Sequence, residues 1–266
     1  MTDLEQVAVE PYVLERLSPS RASDFMQCPK LFEYRTIQRL PEETTVYQAR
    51  GTTAHLALQH LFDLPRDERT AERLYDLFRE AWTELRTDEE YEGLFDSVED
   101  ERAWGLESMS LLRNYFSVED PSAIEPLDRE LDLLEPLDDR VVIRGILDRM
   151  DENDEGELVI LDYKTGKAPP PRFAQSAFFA LKIYAALIRK QTGRTPVEVR
   201  LMYLTGPTQL TLPITDEVLD QTEQKITNIW NQIERAIETE TFQPSPSKLC
   251  DWCSFQSICP AFAEGA

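Results

Sequence analysis

The sequence predicts an α/β fold, and two observations carry that prediction. Apolar residues recur at helical spacing through the first 126 residues, and near residue 127 the pattern changes to strand-like segments that alternate with helix-like ones. The 266 residues include 41% hydrophobic and 29% charged side chains, proportions typical of a globular chain. We expect one integrated domain with an N-terminal arm (1–16), a helical region (17–126), an α/β core (127–242) and a cysteine-rich segment (243–266).

The helical region begins after the N-terminal arm. Ser18 or Ser20 can cap a first helical segment, which runs to about residue 37 and contains Cys28. Further helices are predicted over about residues 48–62, 70–86 and 95–116, where apolar residues follow the helical period. The first 120 residues are therefore expected to be helical.

The α/β core is expected to begin with a hairpin. Strands are predicted over about residues 128–134, 140–150 and 157–164, and the turn-rich run ENDEG separates the last two. A helix over 173–191, strands over 197–204 and 210–213, and a long helix over 215–240 complete the order.

Overall charge and cysteine content exclude several classes of protein. The net charge of -22 disfavours adhesion of the whole molecule to nucleic acid or anionic lipid, so any phosphate-binding surface must be local. No apolar stretch has the length of a membrane span, and the acidic N-terminal residues are atypical of a signal peptide. Four cysteines are too few for a disulfide scaffold. We expect a cytoplasmic protein.

The most informative segment is the predicted hairpin, RGILDRMDENDEGELVILDYKTGK. Side chains alternate along a strand, so Asp162 and Lys164 share one face, and antiparallel pairing brings Asp148 within cross-strand reach of Asp162. Two close carboxylates favour a hard divalent ion such as Mg²⁺ or Mn²⁺. Beside them, Lys164 could orient or deprotonate a water and offset charge on a phosphate, which indicates phosphodiester hydrolysis. The alternative is a solvated hairpin with ordinary surface residues.

A basic run follows this hairpin. Between Tyr163 and Val197 the chain has seven basic residues and no acidic one, so this segment could follow a phosphate backbone. The alternative is an exposed basic helix face.

GILD, ending at Asp148, and DYKTGK, with Asp162 and Lys164, resemble the two motifs of the PD-(D/E)xK nuclease superfamily, and within it the RecB-like exonucleases. The resemblance implies a restriction-endonuclease-like core, a mixed sheet flanked by helices, and a magnesium- or manganese-dependent DNA exonuclease acting on single-stranded or free ends in DNA repair. It implies catalytic roles for Asp148, Asp162 and Lys164. RGTTAHLALQHLF resembles the upstream helix that supplies a histidine ligand, so the implied metal ligands are His55, Asp148, Asp162 and the carbonyl of Tyr163.

Glu130, in the strand before the hairpin, matches a carboxylate often present there in that family, and His60 is interpreted as structural. The family has a glutamine four residues before a tyrosine; here the tyrosine is Tyr184 and the residue four before it is Ala180. The missing amide leaves a second reading open, a catalytically impaired DNA-binding or assembly module of the same fold. Expected substrate-binding residues are Tyr184, Lys182, Lys167 and Arg172.

The four cysteines form one set, Cys28 and the C-x2-C-x5-C run of Cys250, Cys253 and Cys259. Zinc and iron-sulfur clusters both accept four thiolates, so the chemistry of the residues leaves both open, while disulfides are disfavoured. The arrangement resembles the iron-sulfur variant of the superfamily, found in AddB-type repair nucleases and CRISPR-associated adaptation exonucleases. That resemblance implies a 4Fe-4S cluster in a structural C-terminal clamp, and we expect Trp252 and Phe255 to cover it.

Overall fold

A mixed five-stranded sheet and eight helices make up the computed structural model, which describes residues 14–263. The helices are α1 (Pro19–Gln27), α2 (Pro29–Phe32), α3 (Val46–Leu61), α4 (Ala71–Leu85), α5 (Val98–Arg113), α6 (Ala174–Ala177), α7 (Phe179–Thr192) and α8 (Asp216–Glu238). The strands are β1 (Asp128–Pro136), β2 (Val142–Glu152), β3 (Leu158–Lys167), β4 (Glu198–Thr205) and β5 (Thr208–Pro213). Most of the predicted N-terminal arm, residues 1–13, lies outside the described residues.

Spatial order in the sheet follows chain order, β1-β2-β3-β4-β5. β2 and β3 are antiparallel and form the predicted hairpin, β3 and β4 are parallel, and β4 and β5 are antiparallel. A parallel pair needs a crossover connection, which α6 and α7 supply between β3 and β4. The α/β fold with a mixed sheet flanked by helices is therefore confirmed.

Capping residues explain where the helices of the first half begin. Thr45 caps α3 in a capping box with Gln48, Thr70 caps α4 and Ser97 caps α5, each through a side-chain oxygen that accepts a backbone N–H. At the other end of α7, Gly193 adopts φ +71°, the left-handed conformation that favours glycine after a helix.

Two of the predicted helices are interrupted. The segment 18–37 divides at Cys28, whose extended backbone precedes Pro29, and α2 then continues as a π-helical turn over Glu33–Ile37. The predicted helix over 173–191 breaks at Phe178, so that α6 and α7 are separate. Phe178 is 2% exposed, and the break at this buried residue is one that the helical spacing alone does not predict.

The chain divides into two compact units by its internal contacts. Of the residues that the structure describes, the larger unit comprises 43–135 and 145–223, and the smaller comprises 14–42, 136–144 and 224–263. In the larger unit, α3, α4 and α5 bury an aromatic cluster that includes Phe78, Trp82 and Trp104, against residues such as Leu161 and Met202 of β3 and β4. The description as one integrated domain stays a prediction.

Among the helices of residues 14–263, none combines the length and the apolar character that a bilayer crossing requires.

Candidate active site

The two motif strands of the larger unit place their acidic residues across from each other. Arg149 pairs with Leu161 in the antiparallel register, so the preceding Asp148 lies opposite the following Asp162. Residues directly opposite in a sheet project to the same face. The Nζ of Lys164 lies 2.6 Å from Oδ2 of Asp162. The structure therefore brings these three predicted catalytic residues to one place.

His55, on α3, contacts both motif strands. Its Nε2–H donates to the carbonyl oxygen of Tyr163 over 2.9 Å, and its Nδ1 lies 3.4 Å from Oδ2 of Asp148. The same carboxylate oxygen accepts the backbone N–H of Tyr163 at 2.8 Å. The Tyr163 peptide is thus held at its N–H by Asp148 and at its carbonyl by His55.

Glu130 of β1 completes a set of three side chains that could hold a metal ion. Ligand atoms of His55, Glu130 and Asp148 all lie within 4.8 Å of one another. Carboxylate oxygens with one imidazole suit a divalent ion of the magnesium or manganese type. Asp162, whose carboxylate lies 2.6 Å from the Nζ of Lys164, is not a member of this three-residue set. The match of Glu130 to the family's carboxylate stays a prediction, and the structure places Glu130 beside His55 and Asp148.

The backbone of Glu130 is strained. Its φ is +48°, a region that residues other than glycine rarely occupy. Such strain costs about 1–3 kcal/mol and clusters at functional sites. Its coincidence with the three-residue set supports a role for Glu130 in binding an ion.

Burial and mutual repulsion shape the protonation of this site. Burial and the charge of Asp148 raise the pKa of Asp162 to about 6, against the opposing effect of Lys164. Burial, followed by the charge of Asp148, also raises the pKa of Glu130. For His55, burial lowers the pKa, but the contact with Asp148 and the charge of Asp162 outweigh it and raise the pKa to about 9. Without a metal ion, the site therefore retains protons that a cation would displace.

Metal affinity should consequently rise with pH. A cation competes with the proton on His55, whose pKa is about 9, so Mn²⁺ binding near neutral pH should release about one proton and strengthen about tenfold per pH unit from about pH 6.5 to 8.5. Below about pH 6, protonation of Asp162 should steepen the dependence. Calorimetric titrations in buffers of different ionisation enthalpy count the protons. His55→Gln should bind more weakly and release fewer protons, and an unchanged proton count in that variant would contradict this assignment.

Tyr184, on α7, lies beside the carboxylates. Burial raises the pKa of its hydroxyl, and the charges of Asp162, Asp148 and Glu130 raise it further. Its ring packs on Gly145, the glycine of GILD, where an added Cβ would lie 2.5 Å from Cε1 and 3.0 Å from the hydroxyl oxygen. Gly145 thus makes room for a tyrosine that faces the site.

Gly145→Ala is expected to displace the Tyr184 ring. Overpacking should lower the free energy of unfolding by about 1–3 kcal/mol. A shift of the ring of about 1 Å should lower kcat/KM for cleavage by up to about 10²-fold. Gly105→Ala in α5 is the matched control, because nothing lies within 4 Å of its added Cβ. Cleavage rates and denaturant unfolding measure both effects, and equal behaviour of the two variants would refute the close packing as a constraint on the site.

The other residues expected to bind substrate differ in their exposure to solvent. Lys182 is half-buried on α7, whereas Lys167, the last residue of β3, is exposed. Arg172 is also exposed, and its guanidinium lies 4.8 Å from the centroid of the Phe173 ring.

The basic run is less available to a phosphate backbone than its sequence predicts. Arg189 forms ion pairs with Asp220 at 2.8 Å and Glu223 at 2.7 Å, and Arg194 pairs with Glu152 at 3.1 Å. Acidic residues distant in the chain therefore neutralise part of it, which a local count of charges does not detect.

A cavity of about 540 Å³ opens beside the metal-binding set. Its lining includes His55 and Glu130, and the other residues come mainly from α3: Gln48, Gly51, Thr52, Leu56 and Gln59. The cavity gives a ligand access to these two side chains along one helix.

The four cysteines all belong to the smaller unit and line one cavity there. All four are free thiols. The sulfur of Cys28 accepts the backbone N–H of Ser245, and the sulfur of Cys250 accepts that of Ser247, each at 3.3 Å. The structure thus brings Cys28 to the C-terminal cysteine segment.

Neither Trp252 nor Phe255 lines the cavity, and the expectation that Trp252 covers the cysteines is wrong. Phe255 is 4% exposed, and its ring centroid lies 5.2 Å from that of Tyr34, whose hydroxyl donates to the carbonyl of Ile258. Trp252, in contrast, is 87% exposed. The short 3₁₀ turn Lys248–Trp252 directs that side chain to solvent, which the composition of the segment does not reveal.

The family model of the PD-(D/E)XK nuclease superfamily matches residues 16–260. The chain belongs to this superfamily. As a member, it is a hydrolytic nuclease of a family that uses divalent metal ions. The resemblance inferred from GILD and DYKTGK is thereby confirmed at the level of the superfamily.

One solved structure shares the fold. A protein from Eubacterium rectale named "Putative exonuclease" superposes with a TM-score of 0.56 at 15% identity, covering 95% of this chain and 94% of that one. The structure named SSO0001 gives a TM-score of 0.42 at 15% identity, covering 94% of this chain and 88% of that one, a similarity too low to support an argument. The search of curated proteins returned no match.

Proposed function

We propose that this superfamily member hydrolyses phosphodiester bonds of DNA with Mg²⁺ or Mn²⁺, as an exonuclease acting on single-stranded or free ends. The observation that carries the proposal is the meeting of Asp148 and Asp162 on adjacent strands, with Lys164 at 2.6 Å from Asp162 and His55 and Glu130 beside Asp148. The residues that would hold the ion are His55, Glu130, Asp148, Asp162 and the carbonyl of Tyr163. When bound, the ion supplies Lewis acidity and lowers the pKa of the attacking water.

Lys164 is assigned an electrostatic role. Burial lowers its pKa, but Asp162 more than offsets this and raises the pKa above its usual value. A lysine that remains an ammonium ion cannot accept a proton, but it can stabilise charge that develops on the phosphate in the transition state. Asp162 fixes the position of that ammonium.

The preference for DNA ends draws support from the likeness to a protein named as an exonuclease, together with the DYKTGK motif. End-labelled linear single strands, end-labelled duplexes and a circular single strand test it, each with Mg²⁺ or Mn²⁺ and with EDTA. We expect linear single strands to shorten in the presence of metal and the circle to persist. Asp148→Asn is the matched inactive control. Equal cleavage of the circle would reject the exonuclease assignment, and equal cleavage by Asp148→Asn would reject the site.

We also propose that the four cysteines hold a 4Fe-4S cluster that closes the smaller unit as a structural clamp. All four thiols are free and line one cavity of the smaller unit, and this supports one shared four-thiolate centre. The resemblance to the iron-sulfur variant of the superfamily favours a cluster over a single zinc ion.

Anaerobic purification followed by metal analysis tests the cluster. We expect iron and acid-labile sulfide near four of each per chain, with broad visible absorption. Cys253→Ser should lose the colour, while Ser254→Ala should keep it. Stoichiometric zinc in a colourless protein would overturn the assignment.

A second candidate function rests on Ala180, which lies in the first turn of α7, four residues before Tyr184. An amide at this position is missing, so the chain could be a catalytically impaired DNA-binding or assembly module. Ala180→Gln distinguishes the two. Cleavage by the parent protein supports the nuclease, whereas DNA binding without cleavage by the parent, and cleavage only after Ala180→Gln, supports the module.

A further inference from the structure

We propose that Arg149 and Glu119 are positioning residues that clamp the Tyr163 side chain and thereby hold the Tyr163 peptide in the metal site. The inference rests on the proposed function, because it concerns the ion that this site would bind. It explains the presence of buried ionic contacts around Arg149, on the face of the two motif strands opposite the metal site, which none of the proposed catalytic steps uses.

The alternation of side chains along β2 and β3 separates the two groups. Asp148 and Asp162 face one side, and the next residues, Arg149 and Tyr163, face the other. On that reverse face, the guanidinium of Arg149 donates to the Tyr163 hydroxyl over 2.6 Å. Asp148 is therefore followed directly by Arg149, and Asp162 is followed directly by Tyr163, whose side chain Arg149 holds.

The Arg149 side chain is fixed from several directions. It is 1% exposed, and its guanidinium donates to both carboxylate oxygens of Glu119, at 2.5 and 2.8 Å. Two of its nitrogens also donate to Oδ2 of Asp151, at 3.1 and 2.9 Å. The Tyr115 hydroxyl donates to Glu119 at 2.5 Å. A guanidinium with this many charged and neutral partners has no freedom to follow a displaced tyrosine.

Tyr163 contacts Arg149 through its side chain and the metal-site residues through its backbone. Its hydroxyl binds Arg149, its backbone N–H binds Asp148 and its carbonyl binds His55. Its side chain is 4% exposed, so the ring has no room to swing. The position of the carbonyl that would ligate the ion is therefore set at both ends of the residue.

A buried group of charged side chains, such as that of Arg149, Glu119 and Asp151, requires an explanation. Apolar residues of similar volume often stabilise a fold as well as a buried ion pair does, or better. The clamp instead places a rigid, directional cation behind the one peptide that both His55 and Asp148 contact. A guanidinium at this position contributes the fixed direction of its hydrogen bonds more than it contributes stability.

Tyr163→Phe tests the proposal, because it removes only the hydroxyl and keeps the ring and the peptide. Mn²⁺ dissociation constants are measured by paramagnetic resonance titration of the full chain, beside thermal unfolding. We expect the dissociation constant to rise about 10- to 100-fold, the range for groups that orient a metal ligand. Tyr91→Phe is the matched control, a tyrosine that is 7% exposed in the same unit and whose hydroxyl bonds Thr52 instead. The control should lose a similar increment of stability with unchanged Mn²⁺ affinity.

Glu119→Gln provides a second variant that keeps the size of the side chain and weakens its hold on Arg149. If both residues act through one clamp, Tyr163→Phe and Glu119→Gln combined should weaken Mn²⁺ binding no more than about the larger single change. Equal Mn²⁺ affinity of Tyr163→Phe, Tyr91→Phe and the parent, or additive losses, would overturn the inference. If the parent does not bind Mn²⁺, or if Asp148→Asn leaves Mn²⁺ binding unchanged, the proposed function is overturned and the inference with it.

Discussion

Asp162→Asn and Lys164→Met are each expected to lower the cleavage rate by at least about 10³-fold, because both remove charge that acts on the transition state. The two variants should differ in binding. Asp162→Asn should weaken Mn²⁺ binding, since a carboxylate beside Asp148 is lost. Lys164→Met should retain or strengthen it, since removal of the ammonium leaves the Asp162 carboxylate without its partner at 2.6 Å. Single-turnover cleavage and Mn²⁺ titration separate the two roles.

Lys190→Met serves as the lysine control. Its ammonium lies 3.9 Å from Glu223, near the end of α7, and its loss should leave the cleavage rate within about twofold of the parent because surface pairs contribute little. Retained cleavage by Lys164→Met would remove that residue from the chemistry, and parental cleavage by Asp162→Asn would remove the motif as a whole.

The largest loss of stability is expected from Arg149→Met. Removing the cation leaves Glu119 and Asp151 as buried carboxylates without their counterion, and breaking a buried pair in this way costs about 3–5 kcal/mol. Burial already raises the pKa of Asp151, opposed by Arg149, so the variant should raise it further. The native state then binds more protons than the unfolded state, and the variant should regain stability as the pH falls from about 8 to 5.

Urea unfolding at several pH values measures this effect. Arg79→Met is the control, because Arg79 is 56% exposed and pairs with Asp76 on the surface of α4, where the change should stay within about 0.5 kcal/mol. Combining Arg149→Met with Glu119→Gln and Asp151→Asn should restore part of the loss. A pH-independent deficit would show that packing, and not uncompensated charge, dominates the effect.

The sequence was most informative where a periodic pattern met a local turn. The hairpin of β2 and β3 follows from two alternating runs around ENDEG, and its register brings Asp148 opposite Asp162. His55 was assigned through resemblance, because one histidine on a helix carries no signal of its own. The superfamily itself could be inferred from GILD and DYKTGK, and the family comparison confirms it.

Long-range contacts account for what could not be predicted. The φ of +48° at Glu130 is not indicated by any periodicity, although the resemblance already names Glu130 as a candidate carboxylate. Glu119 meets Arg149 from 30 positions earlier in the chain, and Arg189 meets acidic residues of α8. The sequence contains one indication that Arg149 has a partner. Arg149 lies on the strand face that also carries the apolar Leu147, where an unpaired cation would be unfavourable.

The register of β2 against β3 also limits how this nuclease can vary in length. Asp148 and Arg149 are adjacent residues whose side chains lie on opposite faces, so one inserted residue within either strand would exchange the faces and turn Asp148 away from the site. Within this hairpin, insertions and deletions should therefore be tolerated only in the five-residue connection, residues 153–157, where the strands have already ended. A drift in motif spacing among homologous chains should be confined to that loop.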